Sequence, residues 1–245
     1  MSPLRAASPF LLLAILASCA ARTPGAQPHD MSVASHETTA AEETRIAGEH
    51  EGRYDPSAVQ RRERCQHGGP AATGDLDACW TSVTNPTAEH LKHAEGYRTR
   101  AAAHRAASQA LRDAEARACV GIPAADRDES PFDHREDIER VEPFYVSEGG
   151  KLQHRRLGGA VVTFRAMSGM SAPWLQRVVD CHLARNAALG HDVPEMAYCP
   201  LVPKGVTGTV TPTPTGFAVT VRSDDGAVAE DVWRRAQSLV GPSGH

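Results

Sequence analysis

The chain has 245 residues, room for one or two domains once a leader is removed. Apolar residues make up 41% but aromatic ones only 5%, so any core must rest on Ala, Val and Leu. The formal charge is −4 and no long basic run occurs, which leaves no footprint for nucleic-acid binding.

Residues 1–19 read MSPLRAASPFLLLAILASC. Arg5 supplies a short positive region, and Pro9 to Leu16 an apolar run of signal-peptide length, too short to span a bilayer. The run closes on Leu16-Ala17-Ser18-Cys19, a branched apolar residue, two small residues and a cysteine. This resembles the lipobox of bacterial lipoproteins. The resemblance covers residues 1–19. It implies a signal peptide over 1–18, lipidation of Cys19 and a protein held on the membrane by its acyl chains. Each buried methylene adds roughly 0.8 kcal/mol, so several chains hold firmly where one would not. Inner-membrane lipoproteins often carry Asp at the position of Ala20. In a Gram-negative host the resemblance therefore implies the periplasmic side of the outer membrane. The body resembles uncharacterised Gram-negative envelope lipoproteins, a likeness that implies no activity.

An envelope setting permits disulfides. Five cysteines follow Cys19: Cys65, Cys79, Cys119, Cys181 and Cys199. An odd number leaves at least one unpaired, metal-bound or bonded outside the chain. Cys65 and Cys79 flank a Gly/Pro/Asp-rich stretch that can curl back, and are the preferred pair, with about 3 kcal/mol of loop-closure stabilisation. Cys181 with Cys199 is a second candidate. Cys119, near Glu115 at a helix C-terminus, lacks the positive surroundings of a reactive thiol and reads as structural.

Taken in chain order, residues 19–31 form a lipidated tether, polar and Pro/Gly-containing, and should be flexible. Residues 32–52 predict a helix capped by Ser32. Residues 53–85 read as a long connector, of a length that is uncommon unless stapled or functional. Residues 86–119 predict a long helix, with Asn85 as cap, Pro86 in the first turn and a Gly121-Ile122-Pro123 stop. Residues 32–123 thus read as a disulfide-stapled helical hairpin. Over 136–240 the texture changes. Strands are expected at Ile138–Val146, Gly159–Phe164, Val206–Val210 and Phe217–Val221, with helices at 172–189 and 225–240. The fold class is α+β: a helical hairpin followed by a small ββαββα antiparallel sheet-and-helix sandwich.

The two hairpin helices look like an internal repeat. His36 and His50 are 14 residues apart, as are His90 and His104. Fourteen residues at about 100° each return the side chain to nearly the same stripe. An antiparallel hairpin would bring His36 towards His104, and His50 towards His90 and His93. Imidazole suits zinc, copper and nickel, and facing helices can share a ligand set. These five histidines are therefore a candidate site for zinc or copper. The alternative is that they are solvent-facing positions spaced alike because a helix was duplicated, and the sequence leaves both open.

Other clusters read as structural. Cys181, His182, His191 and Cys199 lack the C-x-x-C spacing of zinc sites, and His182 lies on the apolar face of its helix. Residues 126–137 imitate a calcium loop, but Pro131 stands where the turn needs Gly. His134 to Asp137 read as solvated charges. No H-E-x-x-H, G-x-S-x-G, P-loop or G-x-G-x-x-G occurs. The leading expectation is a membrane-anchored periplasmic lipoprotein with a non-enzymatic structural or protein-interaction role, its protein partner unidentified. The alternative is binding or buffering of zinc or copper by the hairpin histidines.

Overall fold

The computed structural model describes residues 23–66, 78–148 and 154–240. The leader and Cys19 lie outside the described residues, as does the loop 67–77. No helix among the described residues is long and apolar enough to cross a membrane. A chain starting at Ala20 contains every described residue.

The protein belongs to the α+β class. Its first half is an arm. Helix α1 spans Val33–Gly52, and the Ser32 hydroxyl accepts from the Ser35 N–H at 3.1 Å. A two-stranded antiparallel ribbon follows, β1 at Gln60–Gln66 and β2 at Ala78–Thr84. Helix α2 then runs over Ala88–Ala118. Its start is set by Asn85, whose side-chain Oδ1 accepts from the Thr87 N–H at 2.8 Å and whose backbone carbonyl accepts from the Ala88 N–H at 3.1 Å. The ribbon corrects the expectation of an irregular connector. QRRERCQ has no apolar alternation because neither face of the ribbon is buried in a core. Pairing instead brings Cys65 opposite Cys79, and the expected disulfide joins them.

The helices α1 and α2 pack antiparallel along a seam whose members recur in steps of three and four. On α1 it runs through His36, Ala40, Glu43, Ala47 and His50, and on α2 through His90, Ala94, Tyr97, Ala101 and His104. Ala40, Ala47, Ala94 and Ala101 are buried. Such small side chains let two helix backbones approach closely. Ion pairs cross between the helices: Glu43 to Arg100 at 2.9 Å, Glu37 to Arg112, and Glu51 to Arg98.

The second half begins with the short helix α3, Ala124–Asp128. It continues as β3 (Ile138–Glu148), β4 (His154–Arg165), α4 (Ala172–Ala188), β5 (Thr207–Thr213), β6 (Gly216–Arg222) and α5 (Gly226–Gln237). The four strands form one antiparallel sheet in the order β3-β4-β6-β5. On one face Ala160, Val162 and Phe164 of β4 oppose Val221, Val219 and Phe217 of β6. Leu175 and Val179 of α4 and Val232 and Ala236 of α5 join the same core, so both helices cover that face. Gly159 has φ +142°, and a Cβ there would meet the Val221 carbonyl oxygen at 2.1 Å. It lies at a register shift between β3 and β4 that only glycine can occupy.

Arm and sheet module meet where α2 lies on α4. Leu111, Ala187 and Ala188 are buried together with Val33 against them, and Arg185 reaches Glu115 at 3.2 Å. A disulfide between Cys119 and Cys181 fastens the joint. This corrects the candidate pair Cys181–Cys199. Cys181 shares its side of α4 with Val178 and faces Ile122 and Cys119. Cys199 instead lies in the sheet core, where its Sγ accepts from the Ser130 hydroxyl at 3.3 Å. It is an unpaired thiol, pushed up to about 11 by burial.

The tether is also less free than its composition suggests. Pro28–Asp30 form a 3-10 turn closed by Asp30, whose carboxylate accepts from the Gln27 N–H at 2.9 Å, and Ala26 is buried.

Candidate metal centre

The seam brings the four matched histidines together in two pairs. His36 Nδ1 lies 3.0 Å from His104 Nδ1, and His50 Nδ1 lies 3.1 Å from His90 Nδ1. His93, one turn beyond His90, has its ring centroid 5.1 Å from that of His50. The reading of these residues as solvent-facing repeats is thereby corrected for the paired residues. Fourteen residues are two heptads, so each helix presents both histidines to its partner, with His36 and His104 buried and His50 and His90 half-exposed.

The two pairs differ in what surrounds them. His36 and His104 are buried, at 0% and 3% exposure. His36 Nε2 lies 3.4 Å from the Pro28 carbonyl oxygen, to which an Nε2–H donates. In that tautomer, assigned from the hydrogen bonds, His36 Nδ1 is a lone pair that accepts the His104 Nδ1–H. Burial, with His36 adding to it, holds His104 below the usual imidazole range. The two rings are thus hydrogen-bonded to each other and to the chain beneath the folded tether.

The second pair sits at the open end of the arm. His50 and His90 are half-buried and His93 is exposed. The Tyr97 ring stacks on His50 with centroids 5.6 Å apart, and the Arg100 guanidinium lies 4.1 Å from the Tyr97 centroid. Burial holds His50 low, helped by His93, His90 and Arg53. Its imidazole is therefore neutral at neutral pH, the form that binds metal. The donor atoms do not yet converge. Among the described residues, the sets of three or more possible ligand side chains with all donor atoms within 4.8 Å are Glu63, Cys65 and Cys79, and His134, Glu136 and Asp137. The first set loses two ligands to a disulfide. The second is a run of neighbouring surface groups, as expected of solvated charges.

The remaining cluster is structural. His182 is buried and its Nε2–H donates to the Asp126 carbonyl at 3.0 Å. His191 Nδ1–H donates to the Val202 carbonyl at 2.8 Å. Neither joins Cys181 or Cys199 in a ligand set. Sequence reasoning missed Tyr97 and the Pro28 carbonyl. Tyr97 was within reach, because it continues the heptad steps from His90 through Ala94. The Pro28 contact depends on the path of the tether.

No protein-family model, no curated protein and no solved structure matches the chain.

Proposed function

We propose that the protein is a lipid-anchored envelope protein that binds a divalent transition metal, zinc or copper, at the open end of its arm, with no enzymatic step of its own. The observation that carries this reading is the 3.1 Å approach of His50 Nδ1 to His90 Nδ1, with His93 one turn along. Two bonds of about 2.0–2.1 Å in tetrahedral geometry place their nitrogens about 3.3 Å apart. The pair must therefore open by only a few tenths of an ångström. His93, exposed and already beside the His50 ring, turns inward to give a third ligand. A three-ligand site leaves one position open for water or an exchanging partner, which suits a buffer or carrier better than a structural ion.

Calorimetric titration of residues 20–245 with zinc and with copper tests this. One ion per chain is expected for the wild type and for His134→Ala. Changing His50, His90 and His93 together to alanine should abolish binding, and unchanged binding in that variant contradicts the assignment. Anchorage is tested separately. Radiolabelled palmitate should enter the full chain and not its Cys19→Ala variant.

A second reading, docking of a protein partner, is favoured by the ribbon. Trp80 and Val83 of β2 are 49% and 60% exposed on a sheet with no core behind it. Cross-linking from the ribbon to one dominant envelope protein, lost in Trp80→Ala, would support it. Its absence would leave the metal reading alone.

A further inference from the structure

A small pocket of about 110 Å³ lies where the link from β4 to α4 meets the segment before β3. It falls below the range of about 300–1,000 Å³ usual for organic ligands, and its size suits a single ion. The link contains Met167-Ser168-Gly169-Met170. The Met170 N–H donates to the Met167 carbonyl at 3.2 Å, and Gly169 takes φ +87°, the positive value that a type II turn needs at its third residue. The turn folds the chain back on itself, and both of its methionines line the pocket. The Ser171 hydroxyl accepts from the Trp174 N–H at 3.4 Å, which seats Trp174 in the first turn of α4. Trp174 lines the pocket too, as does the exposed His134.

These side chains make a donor set with a definite preference. Thioether sulfur is a soft ligand that selects Cu(I), and imidazole binds copper as well. Indole is the aromatic ring that attracts a cation best. Asp126 and Glu129 also stand in the lining, and no Lys or Arg among the described residues does, so the charge around the pocket favours a cation. Phe164, Leu175 and Val178 are buried and give the pocket an apolar floor. An apolar wall suits an ion of single charge over a divalent one, whose desolvation costs more. Methionine often fills gaps in a core. Met167 and Met170 are only half-buried and leave a cavity beside them, so gap-filling does not account for the pair.

We infer that this pocket binds one Cu(I) ion, with the Met167 and Met170 sulfurs and a His134 nitrogen as ligands and the Trp174 ring beside it. The ion enters and leaves as Cu(I), so no electron is transferred. The site shares no residue with the arm histidines and does not rest on the reading of the arm as a divalent-metal site.

The test is transfer of Cu(I) from its coloured bicinchoninate complex, under argon with ascorbate, to residues 20–245 in which His50, His90 and His93 are all alanine. That background silences the arm, so the two sites succeed or fail separately. One Cu(I) per chain should transfer, and zinc should not displace it. Met167→Leu with Met170→Leu should weaken Cu(I) at least tenfold with an unchanged melting curve, because leucine keeps the apolar volume. His134→Ala, at an exposed position that carries no packing, should also weaken Cu(I), and it keeps the test decisive if the paired leucine variant does not fold. Trp emission should fall on loading, and much less so in Trp174→Phe. Cys199→Ala should change nothing, since that thiol lies outside the lining. Failure of Cu(I) to transfer overturns the inference. So does transfer that survives both the leucine pair and His134→Ala, or that is lost in a folded Cys199→Ala.

Discussion

His36 and His50 occupy equivalent places on one helix but have different tasks, and their neighbours decide which. His36 has a partner on each nitrogen and no exposed surface, so its pair with His104 is part of the packing. Removing one member leaves the other buried without a partner, which costs about 1–3 kcal/mol. His104→Ala should lower stability by that amount in urea unfolding while leaving zinc binding within a fewfold of wild type. His50→Ala should do the reverse, with little change in the unfolding midpoint and a loss of at least tenfold in zinc affinity. The spacing of these residues was readable in the sequence, because two heptads repeat a seam position whatever the residue type. Their inequality was not. It depends on the Pro28 carbonyl and on the tether turn, and nothing in His-Asp-Met-Ser signals where that turn will lie.

At the scale of elements, the arm owes its geometry to alanine. Ala47 and Ala94 are 1% and 0% exposed, and they keep α1 close enough to α2 for imidazoles to touch. Ala47→Leu overpacks this seam and should destabilise by about 1–3 kcal/mol. By prising the helices apart it should also weaken metal binding, although residue 47 is no ligand; thermal melts and zinc titration on the same variant check both effects. The helices, the four-strand sheet and its two helices were legible because each has a buried stripe with its proper period. Ala160, Val162 and Phe164 supply it in β4 and Phe217, Val219 and Val221 in β6, whereas β3 buries only Ile138 and was legible from its Val and Phe content alone. The ribbon was not legible. Arg61, Arg62 and Arg64 carry no apolar alternation, since the pairing is held by backbone hydrogen bonds and the Cys65–Cys79 bridge instead of a core. That bridge could be foreseen from its short, turn-rich loop. The Cys119–Cys181 bridge could not, because it depends on α2 crossing α4.

For the whole molecule, this second disulfide ties the arm to the sheet module across a sequence separation of 62 residues. In the chain-entropy model its loss removes about 4 kcal/mol, more than the loss of the shorter Cys65–Cys79 loop at about 3 kcal/mol. Cys119→Ala with Cys181→Ala should therefore lower the unfolding midpoint further than the paired alanine variant at 65 and 79. Acid should act on the same joint. Burial holds His182 and His191 below the usual imidazole range. Below about pH 6.5 the unfolded chain takes up protons that the folded chain refuses. Stability should be full above that pH and fall as pH drops towards the folded values, and urea midpoints from pH 8 to 5 report it.

An arm held together by paired histidines should carry one exchangeable metal ion at its open end. Native mass spectrometry of untagged residues 20–245, before and after addition of zinc or copper, tests it most directly. One ion per chain, two internal disulfides and one thiol are expected, with the ion lost in His50→Ala with His90→Ala and retained in His36→Phe with His104→Phe. A chain with the same two disulfides that stays metal-free at micromolar zinc and copper, or holds the ion equally well without His50 and His90, would contradict it.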